Sequence, residues 1–244
     1  MGIMVGIAVA TTNAKWGKNE ESWPKDAIKF ADPVVGKICA ESWGDGTYIT
    51  KKQAASVTSL GTKFKGNKEI TSFNELKEFG VTLLSKDAFN GCTSLQKINL
   101  ENIEILEGFN FVSALDGTEV RMPKLSSILG NQTFFKSGVT VLDFTGSTFT
   151  RTKDSFADSS SRLTKVILPN TIISIGWSAF SLCKSLETII VLASTPPSIQ
   201  SNTFNTTNST FSIYVPDESV EAYKTATNWT ALANKILPLS QYNE

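Results

Sequence analysis

Histidine is absent from the 244-residue chain. That removes every triad that pairs serine or cysteine with an imidazole, and every zinc site that needs an imidazole ligand. Cysteine is scarce: Cys39, Cys92 and Cys183 form an odd set with no CxxC spacing, neither a disulfide framework nor a metal cluster. No P-loop, GxGxxG, HExxH or GxSxG pattern occurs, so the sequence reads as non-enzymatic, with no cofactor and no metal. No apolar run approaches the ~18 residues that a membrane span needs. Neither sign of charge is in excess, with 23 Lys+Arg against 23 Asp+Glu, which argues against nucleic acid as a partner. An apolar fraction of 41% with 19% charged residues suits an ordered protein with a sizeable core. Residues 3–10 have the character of a signal-peptide core but are short and follow no Lys or Arg. Residues 1–23 are read as an N-terminal tail or leader remnant, with an extra strand as the alternative.

What the chain does contain is a repeat. Phe89, Phe111, Phe134, Phe156, Phe180 and Phe204 are separated by 22, 23, 22, 24 and 24 residues. That is within the period of about 20–29 residues of leucine-rich repeats. Ala88 to Leu100 and Ala179 to Val191 both read AFxxCxSLxxIxΦ, where Φ is apolar. The copy after Phe156 carries one extra residue before Leu163; the unit after Phe111 is the least regular, with Val120 and Met122 as its strand. In LxxIxL the last two apolar residues are two apart, the spacing of a strand whose alternate side chains share a face. So short a strand is stable only when neighbours stack on it edge to edge, which also joins their cores. The phenylalanines are expected to fill the coil interior. Cys92 and Cys183 share one slot four coils apart, about 20 Å at 4.8 Å per strand, so they read as buried small residues and not as a disulfide.

AFxxCxSLxxIxΦP followed by IxxIGxxAF, as in residues 163–180, resembles the BspA-like leucine-rich repeats of bacterial surface proteins. The closing stretch is similar as well: Pro196, Pro197 and Ile199, Phe204, then Ile213, Tyr214, Val215 and Pro216, and Ala222, Tyr223 and Lys224. The resemblance covers roughly residues 30–244. It implies a right-handed β-solenoid or horseshoe, display at the cell surface or secretion, and adhesion to proteins or other cells.

Residues 24–79 carry no repeat of that period. Residues 26–38 and 50–60 have helical spacing, and Ile70, Phe73, Leu76 and Phe79 sit three apart, as on one helix face or in tight helical turns. Residues 30–54 resemble the degenerate EF-hand-like helical cap that precedes many such arrays. With Gly46 at loop position 6, Asp45 stands at position 5, but position 3 is Trp43 and position 12 is Lys52. Too few oxygens remain for calcium. At the other end Asp217 reads as a helix N-cap, with Val220, Tyr223, Ala226 and Trp229 facing the last coil. The expected organisation is therefore a helical N-terminal cap over 24–79, repeats over 80–216 and a short helical C-terminal cap over 217–244.

The candidate site lies on the sheet surface. In each LxxIxL the residues flanking the isoleucine point outward, giving a column Lys97, Glu119, Val141, Lys165, Thr188, Ser212 and a column Asn99, Arg121, Asp143, Ile167, Ile190, Tyr214. The columns change from charged to apolar along the chain. Ile167, Ile190 and Tyr214, edged by Lys165 and Thr188, are expected to form an exposed strip for a partner or a second copy, against the plainer reading of ordinary cross-strand packing. The function read from the sequence is a binding or adhesion module that presents this sheet to a protein or glycan. The alternative is a structural spacer or self-assembling scaffold.

Overall fold

The computed structural model describes residues 22–205 and 207–243; the leader-like residues 3–10 lie outside them. In chain order the elements are α1 (Pro33–Trp43), α2 (Lys51–Ala55), β1 (Ser72–Phe73), β2 (Leu83–Leu84), β3 (Lys97–Ile98), β4 (Ile105–Leu106), β5 (Glu119–Arg121) and β6 (Ser127–Ile128). They continue with β7 (Val141–Asp143), β8 (Lys165–Leu168), β9 (Thr188–Val191), β10 (Ser212–Val215), α3 (Val220–Thr225) and β11 (Ile236–Pro238).

The strands stack as a leucine-rich-repeat solenoid with two parallel rows. The front row is β1–β3, an interruption, then β5–β7–β8–β9–β10–β11; the back row is β2–β4–β6. Isolated parallel bridges from Arg151 to Ser174 and from Ser174 to Ser198 extend the back row. Register keeps like positions together: Val120, Leu142, Val166, Ile189, Ile213 and Ile236 are paired in succession and all are buried.

Between the rows, aromatic rings fill each coil. Phe89, Phe111, Phe134, Phe156 and Phe180 are fully buried. Successive centroids lie 5.7, 5.3, 5.3 and 6.2 Å apart, close to the strand step of about 4.8 Å. Two hydroxyl or thiol ladders tie coil to coil. Thr118, Thr140 and Thr164 each donate a side-chain hydrogen bond to the carbonyl of Gln96, Thr118 or Thr140 one coil earlier. Cys92, Ser160, Cys183 and Thr207 do likewise to Phe64, Phe134, Ala157 and Phe180. The cysteine slot is thus a buried donor position and more than a small apolar filler.

The N-terminal region differs from a cap reaching residue 79. Ser72 and Phe73 already pair with Lys97 and Ile98 as a repeat strand, and the Phe64 ring stacks on Phe89 at 5.4 Å. Ile70, Phe73, Leu76 and Phe79 are all buried; they do not share one helix, since Phe73 is on β1, Leu76 is in the tight 3-10 turn Asn74–Glu78, and Ile70 and Phe79 flank these elements. The interval from Phe64 to Phe89 (89 − 64 = 25) exceeds the other spacings, which hides this first coil.

Asp32 joins the helices to that coil. Its Oδ1 caps α1 through the amides of Val34 and Val35, and its Oδ2 accepts from the Thr71 amide at 2.6 Å, the Thr71 hydroxyl and the Ser72 amide. In the loop between α1 and α2, Asp45 Oδ1 accepts from the Thr47 and Tyr48 amides. These bonds hold its carboxyl below the usual carboxylate range.

At the C-terminal end Tyr223 and Trp229 are fully buried and donate to the Ala193 and Pro197 carbonyls at 2.8 and 2.7 Å. The N-cap expected of Asp217 does not form. Asp217 opens the 3-10 turn Asp217–Ser219 ahead of α3, and its carboxylate accepts from the Ser240 amide. Beyond α3, Ile236–Pro238 is the edge strand, where a residue without an N–H is tolerated.

Candidate functional site

Strand register settles which outward residues are neighbours. Glu119, Val141, Lys165, Thr188 and Ser212 form one row across β5 to β10, and Arg121, Asp143, Ile167, Ile190 and Tyr214 form the other. Lys97 and Asn99 do not join them, because β3 pairs with β1 and the front row is interrupted before β5.

On β5, β7 and β8 the rows enclose a groove of about 390 Å³ lined by Glu119, Arg121, Val141, Asp143, Lys165 and Ile167. Arg121 and Asp143 face each other across adjacent strands at 3.7 Å. The floor is therefore apolar at Val141 and Ile167, and charges of both signs surround it. Such a surface can hold a partner by burial at the centre and orient it by charge at the rim.

The strip is contiguous, as the columns require, but it is not open throughout. Lys165, Ile167, Thr188 and Tyr214 are half-buried, while Ile190 keeps only 5% of its surface exposed. Another segment of the chain meets the strip on both sides of Ile190. After β11 the 3-10 turn Leu239–Gln241 reverses the backbone, and the Tyr242 ring lies edge-on to Tyr214 with centroids 5.0 Å apart. The Tyr242 hydroxyl accepts from Lys165 Nζ at 3.2 Å. Tyr214 is on β10 and Lys165 on β8, so Tyr242 bridges the two strands that flank β9, where Ile190 sits. Tyr242 carries no signal in the repeat pattern, since its position depends on the β10–β11 pairing and on a reversal beyond it.

Among the described residues, the large apolar side chains most open to solvent are Leu129, Ile173, Trp177 and Leu182, and none is on the front sheet. No cluster of three or more Cys, Asp or Glu suited to a metal ion occurs among the described residues. No helix among them is long and apolar enough to cross a membrane.

The sequence matches the family described as "BspA type Leucine rich repeat region", in 6 copies, over residues 49–162 and 149–239. The chain belongs to the BspA-type leucine-rich-repeat family. Its match begins well before residue 80, in keeping with the coil around Phe64 and β1. A similar solved structure is the crystal structure of a leucine-rich repeat protein from Bacteroides ovatus, 16% identical, with a TM-score of 0.41. The match covers 81% of this chain and 48% of that one, so the chain spans about half the length of that protein. No curated protein sequence matches. BspA-type repeats are commonly protein-binding scaffolds, typically without catalytic activity and typically on surface or secreted proteins.

Proposed function

We propose that the protein is a non-enzymatic binding module, displayed at a cell surface or secreted, that engages a protein partner through the front sheet. The observation that carries this reading is the groove over β5, β7 and β8, with an apolar floor at Val141 and Ile167 and the charges of Glu119, Arg121, Asp143 and Lys165 around it. Its residues come from three successive coils, so the binding surface is a product of stacking and belongs to no single repeat. A chain without histidine and without a marked acid pair has little to offer as a catalyst. A shallow sheet surface with mixed charge suits recognition of a folded or extended polypeptide; a glycan is the other class to be separated from it.

The test is a screen of the purified chain on an array of matrix proteins and polysaccharides, beside a Val141→Glu variant. Val141 points away from the core and sits between Glu119 and Lys165, so the substitution changes the groove and spares the interior. Binding to one or more arrayed proteins is expected to fall at least tenfold in the variant, while its melting temperature stays within a few degrees. Binding that Val141→Glu leaves intact, binding confined to polysaccharides, or no capture of the wild-type chain would defeat the reading.

A further inference from the structure

The apolar strip beside the groove already has an occupant, and that occupant shows what chemistry the strip accepts. Ile190 lies on the outward side of β9, between Ile167 on β8 and Tyr214 on β10, yet it is buried. The side chain that bridges the two strands flanking it is Tyr242. Its ring packs at 63° to Tyr214, and its hydroxyl meets the Lys165 ammonium, which also lies 5.7 Å from the ring centroid. An aromatic face, an aliphatic floor and a cationic donor at fixed separation form a receptor for a phenol.

The segment that delivers this phenol is lightly held. Ser240 donates its amide to Asp217, and the Tyr242 amide closes a local turn on Leu239. Tyr242 remains half-exposed, as does Leu239, and Gln241 and Asn243 are exposed. Tyr223 and Trp229, by contrast, are sealed into the last coil with buried hydrogen bonds. Lys165 belongs to both the groove and the strip, so a ligand lying in the groove reaches Lys165 where Tyr242 now sits.

We propose that Ile167, Ile190, Tyr214 and Lys165 form a docking site for a tyrosine-bearing segment of a partner protein, and that Tyr242 holds this site closed in cis until such a segment displaces it. The proposal rests on the sheet-face binding reading and names the partner's contact chemistry. Because Tyr242 competes with the partner, apparent affinity is lowered by the fraction of molecules in the closed state. Removing the Tyr242 ring then raises affinity at the strip, the opposite of what deleting a contact residue does.

The probe is a peptide with the sequence of residues 238–243, titrated into the ¹⁵N-labelled full chain and its Tyr242→Ala variant and followed by amide chemical shifts. Shifts confined to β8, β9 and β10 are expected in the variant, at an apparent affinity at least tenfold tighter than in wild type. A peptide with Phe in place of Tyr, or a Lys165→Ala substitution added to the variant, is expected to weaken binding severalfold through loss of the hydroxyl contact. Equal responses of wild type and variant, shifts mapping elsewhere, or no response at millimolar peptide would overturn the proposal. So would concentration-dependent association of wild-type chains that Tyr242→Ala abolishes, since the strip would then receive the tail of a second copy. A wild-type chain that binds arrayed protein with sensitivity to Val141→Glu, but whose Tyr242→Ala variant ignores the peptide, defeats this inference alone.

Discussion

At the scale of single residues, the interior is built from side chains that do two things at once. Phe156 is fully buried, with centroids 5.3 Å from Phe134, 5.9 Å from Phe144 and 6.2 Å from Phe180, so it packs against the coils on both sides. Phe156→Ala is expected to cost about 3–5 kcal/mol, measured by urea denaturation, because neighbouring rings pinned by their own stacks cannot collapse into the gap. The cysteines behave differently. Burial pushes the thiols of Cys92 and Cys183 up to about 12, and burial together with the nearby Glu75 raises Cys39 further. At pH 8 the thiolate fraction of Cys92 and Cys183 is then on the order of 10⁻⁴, and thiolate is the reactive species. The native protein should consequently react with a thiol reagent no faster than it unfolds, and rapid modification would show local opening, of a coil for Cys92 or Cys183 and of the α1 packing for Cys39. Serine and threonine already fill the same donor slot at Ser160 and Thr207, so Cys183→Ser is expected to fold with a loss of no more than about 1.5 kcal/mol.

At the scale of elements, the decisive piece is the joint between the N-terminal helices and the first coil. If Asp32 were only the N-cap of α1, Asn would replace it at little cost and Ala would lose about 1 kcal/mol. Its second oxygen, however, takes three donors from Thr71 and Ser72, and the residue is buried. An amide in its place has one oxygen and one NH₂ group, and whichever side the NH₂ faces, it meets donors. Both Asp32→Asn and Asp32→Ala are therefore expected to cost about 2–4 kcal/mol. Hydrogen exchange at the Val34, Val35, Thr71 and Ser72 amides should accelerate together in each. An Asn variant as stable as the native chain would reduce Asp32 to a simple cap. None of this is legible in sequence, because Asp32 and Thr71 are far apart in the chain and follow no period. The strand columns were legible, since Glu119 to Ser212 and Arg121 to Tyr214 follow from two-residue alternation within a fixed repeat. The coil of Phe64 was not, because its interval is 25 residues (89 − 64) and it lacks the SLxxI run. Tyr242 was equally hidden: its contacts with Tyr214 and Lys165 depend on a chain reversal that follows an edge strand containing Pro238.

At the scale of the whole molecule, the question is whether the stack unfolds as one body. A solenoid is close to one-dimensional, so each interface between coils is a place where it can divide. The front row is interrupted between β3 and β5, and the named strands of the back row end at β6. These gaps do not coincide. Across the first, β2 pairs with β4 and the Phe89 and Phe111 rings lie parallel at 5.7 Å. Across the second, β7 pairs with β8 and Phe134 meets Phe156 at 5.3 Å. Every coil boundary from Phe89 to Phe180 thus keeps at least one strand ladder and one aromatic contact. Trp43 packs on the N-terminal helices and first coil, where its ring meets Phe79, and Trp229 is sealed at the far end. Their fluorescence therefore includes a signal from each terminus, while far-UV circular dichroism averages over the sheet. Superimposable urea transitions from the two probes are expected for the native chain. Phe111→Ala removes the aromatic contact at the boundary where the front row is already broken, leaving the two-residue β2–β4 pairing and the hydrogen bonds of Thr118, Asn110 and the loop backbone to couple the halves. In that variant the transition should broaden or split, with the two signals no longer coincident. Two separated transitions in the native chain would mean that the contacts across this boundary do not couple the ends; one sharp transition in Phe111→Ala would mean that the ring contributes stability but not coupling.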